Sequence, residues 1–307
     1  MATYLISGGT GLVGTRLSEQ LLDAGHEVII LSRKERAAKG KLRYAVWDLA
    51  SQTIDAAAIQ SADYIIHLAG AGVADKRWTA ARKQEISDSR TQSSALLVKA
   101  LKEMPNKVKA VISASAIGWY GPDTNASLTN GFSEEATADG AYLGETCRLW
   151  EESIAPVEAL GIRLVKLRIG IVLSTQGGAL TEFKKPLTGG IAAILGSGQQ
   201  MISWIHIDDL CSMFRYAAEN SQLNGAYNAV ANQPVSNKTL TIALAKQLRG
   251  QWYIPVYVPA FVLKLVLGEM SIEVLKSATV SNKKILATGF HCQYPTIQTA
   301  LQQLFPK

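Results

Sequence analysis

Residues Ser7-Gly8-Gly9-Thr10-Gly11-Leu12-Val13-Gly14 constrain the fold of this chain more than any other stretch. They follow a short apolar run, Thr3–Ser7, and open an apolar-periodic segment. Gly8, Gly11 and Gly14 therefore stand at G-x-x-G-x-x-G spacing between a strand and a helix. Each glycine has a physical task in that context. The first permits the tight turn, the second lets a pyrophosphate approach the backbone, and the third packs helix against strand. The helix then offers free N–H groups to the anion. The reading is a dinucleotide-binding loop contacted through Gly8, Thr10, Gly11, Leu12 and Val13.

Further apolar runs recur at Val28–Ser32, Leu42–Val46, Tyr64–Leu68, Val108–Ser113 and Arg163–Leu167, each followed by a helix-compatible stretch. Alternation of this kind means parallel strands joined by helical crossovers, and strands apolar on both faces mean a sheet covered on both sides. Helices are expected over Arg77 to Glu103 and Tyr142 to Leu160, and another starting near Asp208 or Asp209, with both aspartates as caps. After about Ser174, glycines 177, 178, 189, 190, 196 and 198 mark loops. The expected class is α/β: a Rossmann doubly wound parallel sheet over residues 1–173, with a smaller, mainly helical C-terminal lobe over 174–307. That lobe lies on the substrate side and returns some late elements to the core.

At the end of the second strand, an NAD-selective protein places an Asp or Glu on the ribose 2′-hydroxyl. Here Ser32, Arg33 and Lys34 stand instead. A carboxylate would repel a 2′-phosphate, whereas Arg33 can take it bidentately, so NADP(H) is the expected cofactor. Asp48 and Leu49, after the third strand, are placed to border the adenine.

Composition excludes other classes. With 48% apolar and 18% charged residues the chain is an ordinary globular one. Its net charge of +6, from 31 basic and 25 acidic residues, is scattered, with no basic stripe and interleaved aromatics for nucleic acid. Cys147, Cys211 and Cys292 form no C-x-x-C pair, so neither a disulfide framework nor a metal site is expected. No apolar run reaches membrane-spanning length, since Lys264 interrupts Val256 to Leu267, and no leader pattern precedes the first strand. We expect a cytoplasmic protein whose partner is a small molecule, and leave oligomerisation open.

With its glycine loop, the chain resembles the extended short-chain dehydrogenase/reductase superfamily, which includes sugar-nucleotide epimerases and dehydratases. His67-Leu68-Ala69-Gly70 looks like that superfamily's cofactor-lining loop, which makes Leu68, Ala69 and Gly70 site residues. A narrower resemblance rests on Arg77-Trp78-Thr79 with Ser89-Arg90, on Ser115-Ala116-Ile117-Gly118-Trp119-Tyr120-Gly121, and on Ser203-Trp204-Ile205-His206-Ile207-Asp208-Asp209. Pro259-Ala260-Phe261, Gly268-Glu269-Met270, Gly289-Phe290 and Tyr294-Pro295 extend it to the C-terminus. Together these are similar to an atypical "epimerase family protein" group with a C-terminal domain of unknown function.

The resemblance implies a Tyr that exchanges the proton, a Lys four residues later that lowers its pKa, and a Ser that polarises the substrate oxygen. The matching positions are Tyr142 and Ser115, with Ser113 a further hydroxyl on the same strand, but Thr146 stands where the Lys should. A phenol with a reference pKa of about 10 then lacks its ammonium. Arg148 points about 200 degrees away from position 146 around a helix. The Arg that grips a sugar-nucleotide diphosphate is also missing, Ile202 standing in its place. The expected function is therefore hydride transfer between NADP(H) and a small carbonyl or alcohol. The alternatives are a catalytically silent NADP(H) sensor or scaffold and, last, a sugar-nucleotide epimerase or dehydratase. His206 reads as a packed residue. Trp78, Trp119, Tyr120 and Trp204 are expected around an apolar or planar pocket, or in packing between lobes.

Overall fold

The computed structural model describes residues 1–306. Its first half runs β1 (Thr3–Ser7), α1 (Leu12–Asp23), β2 (Glu27–Ser32), β3 (Leu42–Asp48), β4 (Thr53–Ile54), α2 (Ala56–Ser61), β5 (Tyr64–His67), α3 (Ala80–Glu103), β6 (Ala110–Ala116), α4 (Asn125–Asn130) and α5 (Tyr142–Ile154). It continues with β7 (Arg163–Ile169), β8 (Ile171–Leu173), α6 (Ala179–Thr188), β9 (Ile191–Leu195), β10 (Met201–Ile202), β11 (Trp204–His206), α7 (Ile207–Glu219), β12 (Gly225–Ala229), β13 (Val235–Ser236) and α8 (Asn237–Arg249). Last come β14 (Ile254–Val258), α9 (Ala260–Leu267), α10 (Ser271–Leu275), α11 (Lys283–Leu286) and α12 (Ile297–Leu304).

Eight strands form the main sheet in the order β12-β7-β6-β5-β1-β2-β3-β4. All pairings are parallel except β3 with β4. The chain winds outward from β1 first toward β3 and then, through β5, toward β12. The switch between β1 and β5 opens a crevice at the carboxyl ends of the strands, where open α/β sheets bind ligands.

Alternate residues of each strand enter opposite cores. Tyr4, Ile6, Val28, Ile30, Ile112 and Val165 pack with Leu17 and Leu21 of α1 and Phe214 of α7. Leu5, Ile29, Leu31, Ile65, Val111 and Leu164 pack with Leu96 and Leu97 of α3 and Ile154 of α5. Full burial of such a side chain contributes roughly 1.5–3 kcal/mol, so the strands need no alternating polar face.

The edges of several elements differ from the sequence reading for local reasons. Helix α3 begins at Ala80 because the Thr79 hydroxyl accepts from the Arg82 N–H and caps it. Helix α5 runs to Ile154 and tightens to a 3₁₀ stretch, Ala155–Leu160, before Gly161. The cap of α7 is His206, whose Nδ1 accepts from the Asp208 N–H at 3.1 Å; Asp208 and Asp209 lie inside the first turn instead. β12 was not anticipated.

The region from Ile171 onward builds its own core from Leu173, Leu180, Trp204, Leu240, Leu244, Ile297 and Leu301. It is less purely helical than its sequence suggests, containing the ladders β8–β11, β9–β14 and β10–β13. It also returns α7 and β12 to the main sheet. Among the described residues no helix is long and apolar enough to cross a membrane, and no cluster of three or more His, Cys, Asp or Glu is arranged to hold a metal.

Candidate active site

The glycine loop is shaped by contacts that leave no room for side chains. A Cβ on Gly8, whose φ is +69°, would lie 2.8 Å from the Leu68 carbonyl. One on Gly14 would lie 2.5 Å from both the Gly8 oxygen and the Gly9 Cα. Gly11, by contrast, has only the Gly8 oxygen nearby, at 3.3 Å. Its N–H donates to that oxygen at 3.0 Å, and no side chain or first-turn carboxylate caps α1. Thr10, Gly11 and Leu12 line a cleft of about 500 Å³ together with Ser174, Thr175 and Gln176. A close-packed turn with an uncapped helix end facing a cleft fits the pyrophosphate of a dinucleotide.

The second wall is held by a hydrogen-bonded relay that the sequence reading did not assign. Ser7 Oγ and His67 Nδ1 are 2.6 Å apart, and His67 Nε2 reaches Ser94 Oγ of α3 at 3.1 Å. The N–H groups of Leu68 and Ala69 donate to Ser7 Oγ at 3.2 and 3.3 Å, which fixes the loop leading to Gly70. Complete burial, assisted by the charge of Arg90, pushes the His67 imidazole down to about 3, so it is neutral at physiological pH.

At the carboxyl end of β2, Ser32 is buried and its hydroxyl accepts from the Lys34 N–H at 3.3 Å, while Arg33 and Lys34 are exposed. Asp48 is exposed and accepts from Ser51 Oγ at 2.8 Å and the Ala50 N–H at 2.9 Å. Those bonds hold its carboxyl below the usual range. Leu49 packs against the α2/α3-side core.

At the opposite end, Tyr142 opens α5 and meets Trp78 edge-on, ring centroids 5.0 Å apart. Its hydroxyl donates to the Lys83 carbonyl at 3.1 Å. Burial pushes the phenol up, with Arg90 and Arg82 pulling against it. Thr146 Oγ1 donates back to the Tyr142 carbonyl at 2.7 Å.

No hydrogen bond joins Ser115 to Tyr142. Ser115 is buried and donates to Glu151 Oε1 at 2.8 Å, within a network in which Arg168 also grips Glu151. Arg168 continues to Tyr120, whose hydroxyl donates to Asn228 at 2.6 Å. Ser113 donates to the Ala114 carbonyl. Arg148 is paired with Glu145 and Glu152. Trp119 lies under the Arg168 guanidinium, 3.6 Å from Cζ to the ring centroid, and Trp204 is fully buried, so of the four aromatics Trp78 alone packs against Tyr142.

His206 is buried between the Asp208 N–H and Gln303 Oε1, and burial pushes its imidazole down. Asp208 pairs with Arg16 beside the cleft. Asp209 accepts from the N–H groups of Gln293 and Tyr294, tying α7 to the C-terminal segment.

Residues 4–153 match the NAD-dependent epimerase/dehydratase family, and residues 258–304 match a domain of unknown function, DUF1731. The chain is 36% identical over 300 residues to epimerase family protein YfhF of Bacillus subtilis, covering 97% of this chain and 96% of that one. It is 35% identical over 308 residues to epimerase family protein SAR0825 of Staphylococcus aureus, with both chains fully covered. Among solved structures it is similar to the human epimerase family protein SDR39U1 (isoform 2) with NADPH, with a TM-score of 0.86, 29% identity and 98% of each chain covered.

Proposed function

The chain belongs to the epimerase family proteins of the NAD-dependent epimerase/dehydratase class, and we propose that it is an NADP(H)-dependent oxidoreductase acting on a small carbonyl or alcohol. The observation that carries the reading is the uncapped end of α1 opening on the cleft of Thr10, Gly11 and Leu12. The choice of NADP(H) over NAD(H) is supported by Arg33 and Lys34 at the end of β2, with no carboxylate there, and by the NADPH in the human relative's structure.

The bound cofactor supplies or takes a hydride at its nicotinamide carbon. Gly8, Thr10, Gly11, Leu12 and Val13 hold the pyrophosphate, Arg33 the 2′-phosphate, and Ser32, Asp48 and Leu49 border the adenosine. Leu68, Ala69 and Gly70 line the opposite wall, braced by Ser7 and His67. Tyr142 gives its phenolic proton to the substrate oxygen in reduction and accepts one in oxidation, exchanging the Lys83 carbonyl for substrate. Ser115, bound to Glu151, acts as a positioning residue that sets β6 against α5. Trp78 offers a planar apolar wall beside Tyr142.

A second reading, an NADP(H) sensor without turnover, is favoured by the commitment of the Tyr142 hydroxyl to Lys83. NADPH oxidation with a panel of small aldehydes and ketones separates the two. Turnover that falls at least about a hundredfold in Tyr142→Phe supports the enzyme, general acid catalysis being worth that much. NADPH binding without turnover on any carbonyl favours the sensor.

A further inference from the structure

Counted by lobe, the net charge of +6 is uneven. Residues 1–219 carry 23 basic and 23 acidic residues, so the rest of the chain holds the whole excess. Residues 220–307 have seven lysines, one arginine and two carboxylates, Glu269 and Glu273. Both carboxylates are already compensated, Glu269 by Lys83 and Glu273 by Lys276. What this segment offers an approaching partner is positive charge.

The same segment exposes most of the large apolar side chains that reach solvent. Helix α9 is apolar at seven of its eight positions, a composition expected of a helix buried all round, yet Leu263 alone is buried. Phe261, Lys264 and Leu265 stand at i, i+3 and i+4 on its outward side, Phe261 71% and Leu265 75% exposed. Trp252, 87% exposed, precedes β14, whose Ile254, Val256 and Tyr257 are exposed as well. β14 and α9 are neighbours in space. Gly196, next after β9, donates its N–H to the Val258 carbonyl of β14 at 2.9 Å, and a Cβ on it would stand 2.8 Å from Leu275 of α10, against which α9 packs. Trp252 and Phe261 alone expose about 300 Å², the size at which the largest patch of an ordinary monomer begins.

We propose that this face, β14 with α9, docks the protein reversibly on an anionic lipid surface. Charge complementarity carries the choice. Lys264 lies within the apolar row, and Arg249 and Arg77 flank it, the first three residues before Trp252 and the second donating to the Leu265 carbonyl at 3.2 Å. None of the three forms an ion pair among the described residues; Arg249 donates to the carbonyls of Leu187 and Thr188. Lysine is depleted from the cores of protein interfaces, whereas at a bilayer surface its stem lies among apolar groups and its ammonium reaches the headgroups. A second copy would bring two positively charged lobes together. An added strand would meet a guarded edge: the Ile254 N–H and the Val258 carbonyl bond to Gly190 and Gly196 on the β9 side, so Pro255 faces the free edge and offers it no donor.

The test is co-sedimentation of the full-length chain with vesicles of phosphatidylcholine alone and of equal parts phosphatidylcholine and phosphatidylglycerol. The mixed vesicles should bind about tenfold more tightly or better, with two or three cations at the surface, and the preference should shrink as salt screens them. Phe261→Ser combined with Leu265→Ser should abolish binding to the mixed vesicles, and Lys264→Gln should weaken it. Both variants should keep the wild-type thermal midpoint, since the altered side chains are exposed. The emission that Trp252→Phe removes should shift to the blue when mixed vesicles are added. Equal binding to the two vesicle types, no binding to either at low salt, or full binding by the folded double variant overturns the proposal. A dimer in sedimentation velocity that the double variant splits assigns the face to a second copy instead, and overturns it as well.

Discussion

Glu151 of α5 and Arg168 of β7 meet with Oε1 2.8 Å from Nε, both side chains almost wholly withdrawn from solvent. The pair also receives the Ser115 hydroxyl and is flanked by Tyr120 and Trp119. It therefore locks α5, and with it Tyr142, to the sheet.

Removing one member of such a pair leaves the other charge buried and alone, a loss of about 3–5 kcal/mol. Glu151→Ala should accordingly lower the unfolding free energy by that amount in guanidinium titrations, with Glu151→Gln losing less because the amide still accepts a bond from Arg168. A loss below about 1 kcal/mol in Glu151→Ala would mean that water or a neighbour takes over the charge of Arg168.

His67 makes stability depend on pH. Its imidazole is pushed down to about 3 in the folded chain, against about 6.5 unfolded, so between those values the unfolded state binds the extra proton. Stability from this residue is complete above about pH 6.5 and is lost as the pH falls toward 3. At about 1.4 kcal/mol per unit, lowering the pH from 6.5 to 5 should remove about 2 kcal/mol. Unfolding of wild type and His67→Gln at the two pH values checks it. The variant should lose about 2 kcal/mol less than wild type over this interval, and parallel losses would refute the assignment.

Arg33→Asp puts a carboxylate at the end of β2, where the 2′-phosphate of NADP(H) is proposed to sit. Charge-assisted bonds of this kind are worth about 1.5–3 kcal/mol, so NADPH affinity should fall about tenfold or more while NADH binding changes much less. Calorimetric titration with both cofactors decides. Equal losses would remove the case for NADP(H) selectivity.

Much of the fold was legible because apolar runs of five or six residues leave a buried strand little alternative. β1 has the expected bounds, and β7 starts at the expected Arg163. β12 escaped because Gly225-Ala226-Tyr227-Asn228-Ala229 is short and poor in β-branched residues. It becomes a strand by pairing with β7. The cap of α7 was assigned to Asp208 and Asp209 on residue type, yet the cap position falls two residues before Asp208 and His206 fills it. Asp208 is drawn instead to Arg16, and Asp209 to the chain at Gln293 and Tyr294, partners far away in sequence.

The sequence by itself determined the glycine loop, because strand, turn and helix lie within residues 3–14 and the glycine spacing fixes their contacts locally. It also showed that α5 has Thr146 where a lysine is expected. Which groups surround Tyr142 was decided only by tertiary structure. Arg148, six residues from Tyr142, is held by its own helix's carboxylates, whereas Lys83, on α3, meets the Tyr142 hydroxyl through its carbonyl when α3 packs on α5. The field at a phenol depends on which charges are near and which are already paired, and chain separation encodes neither.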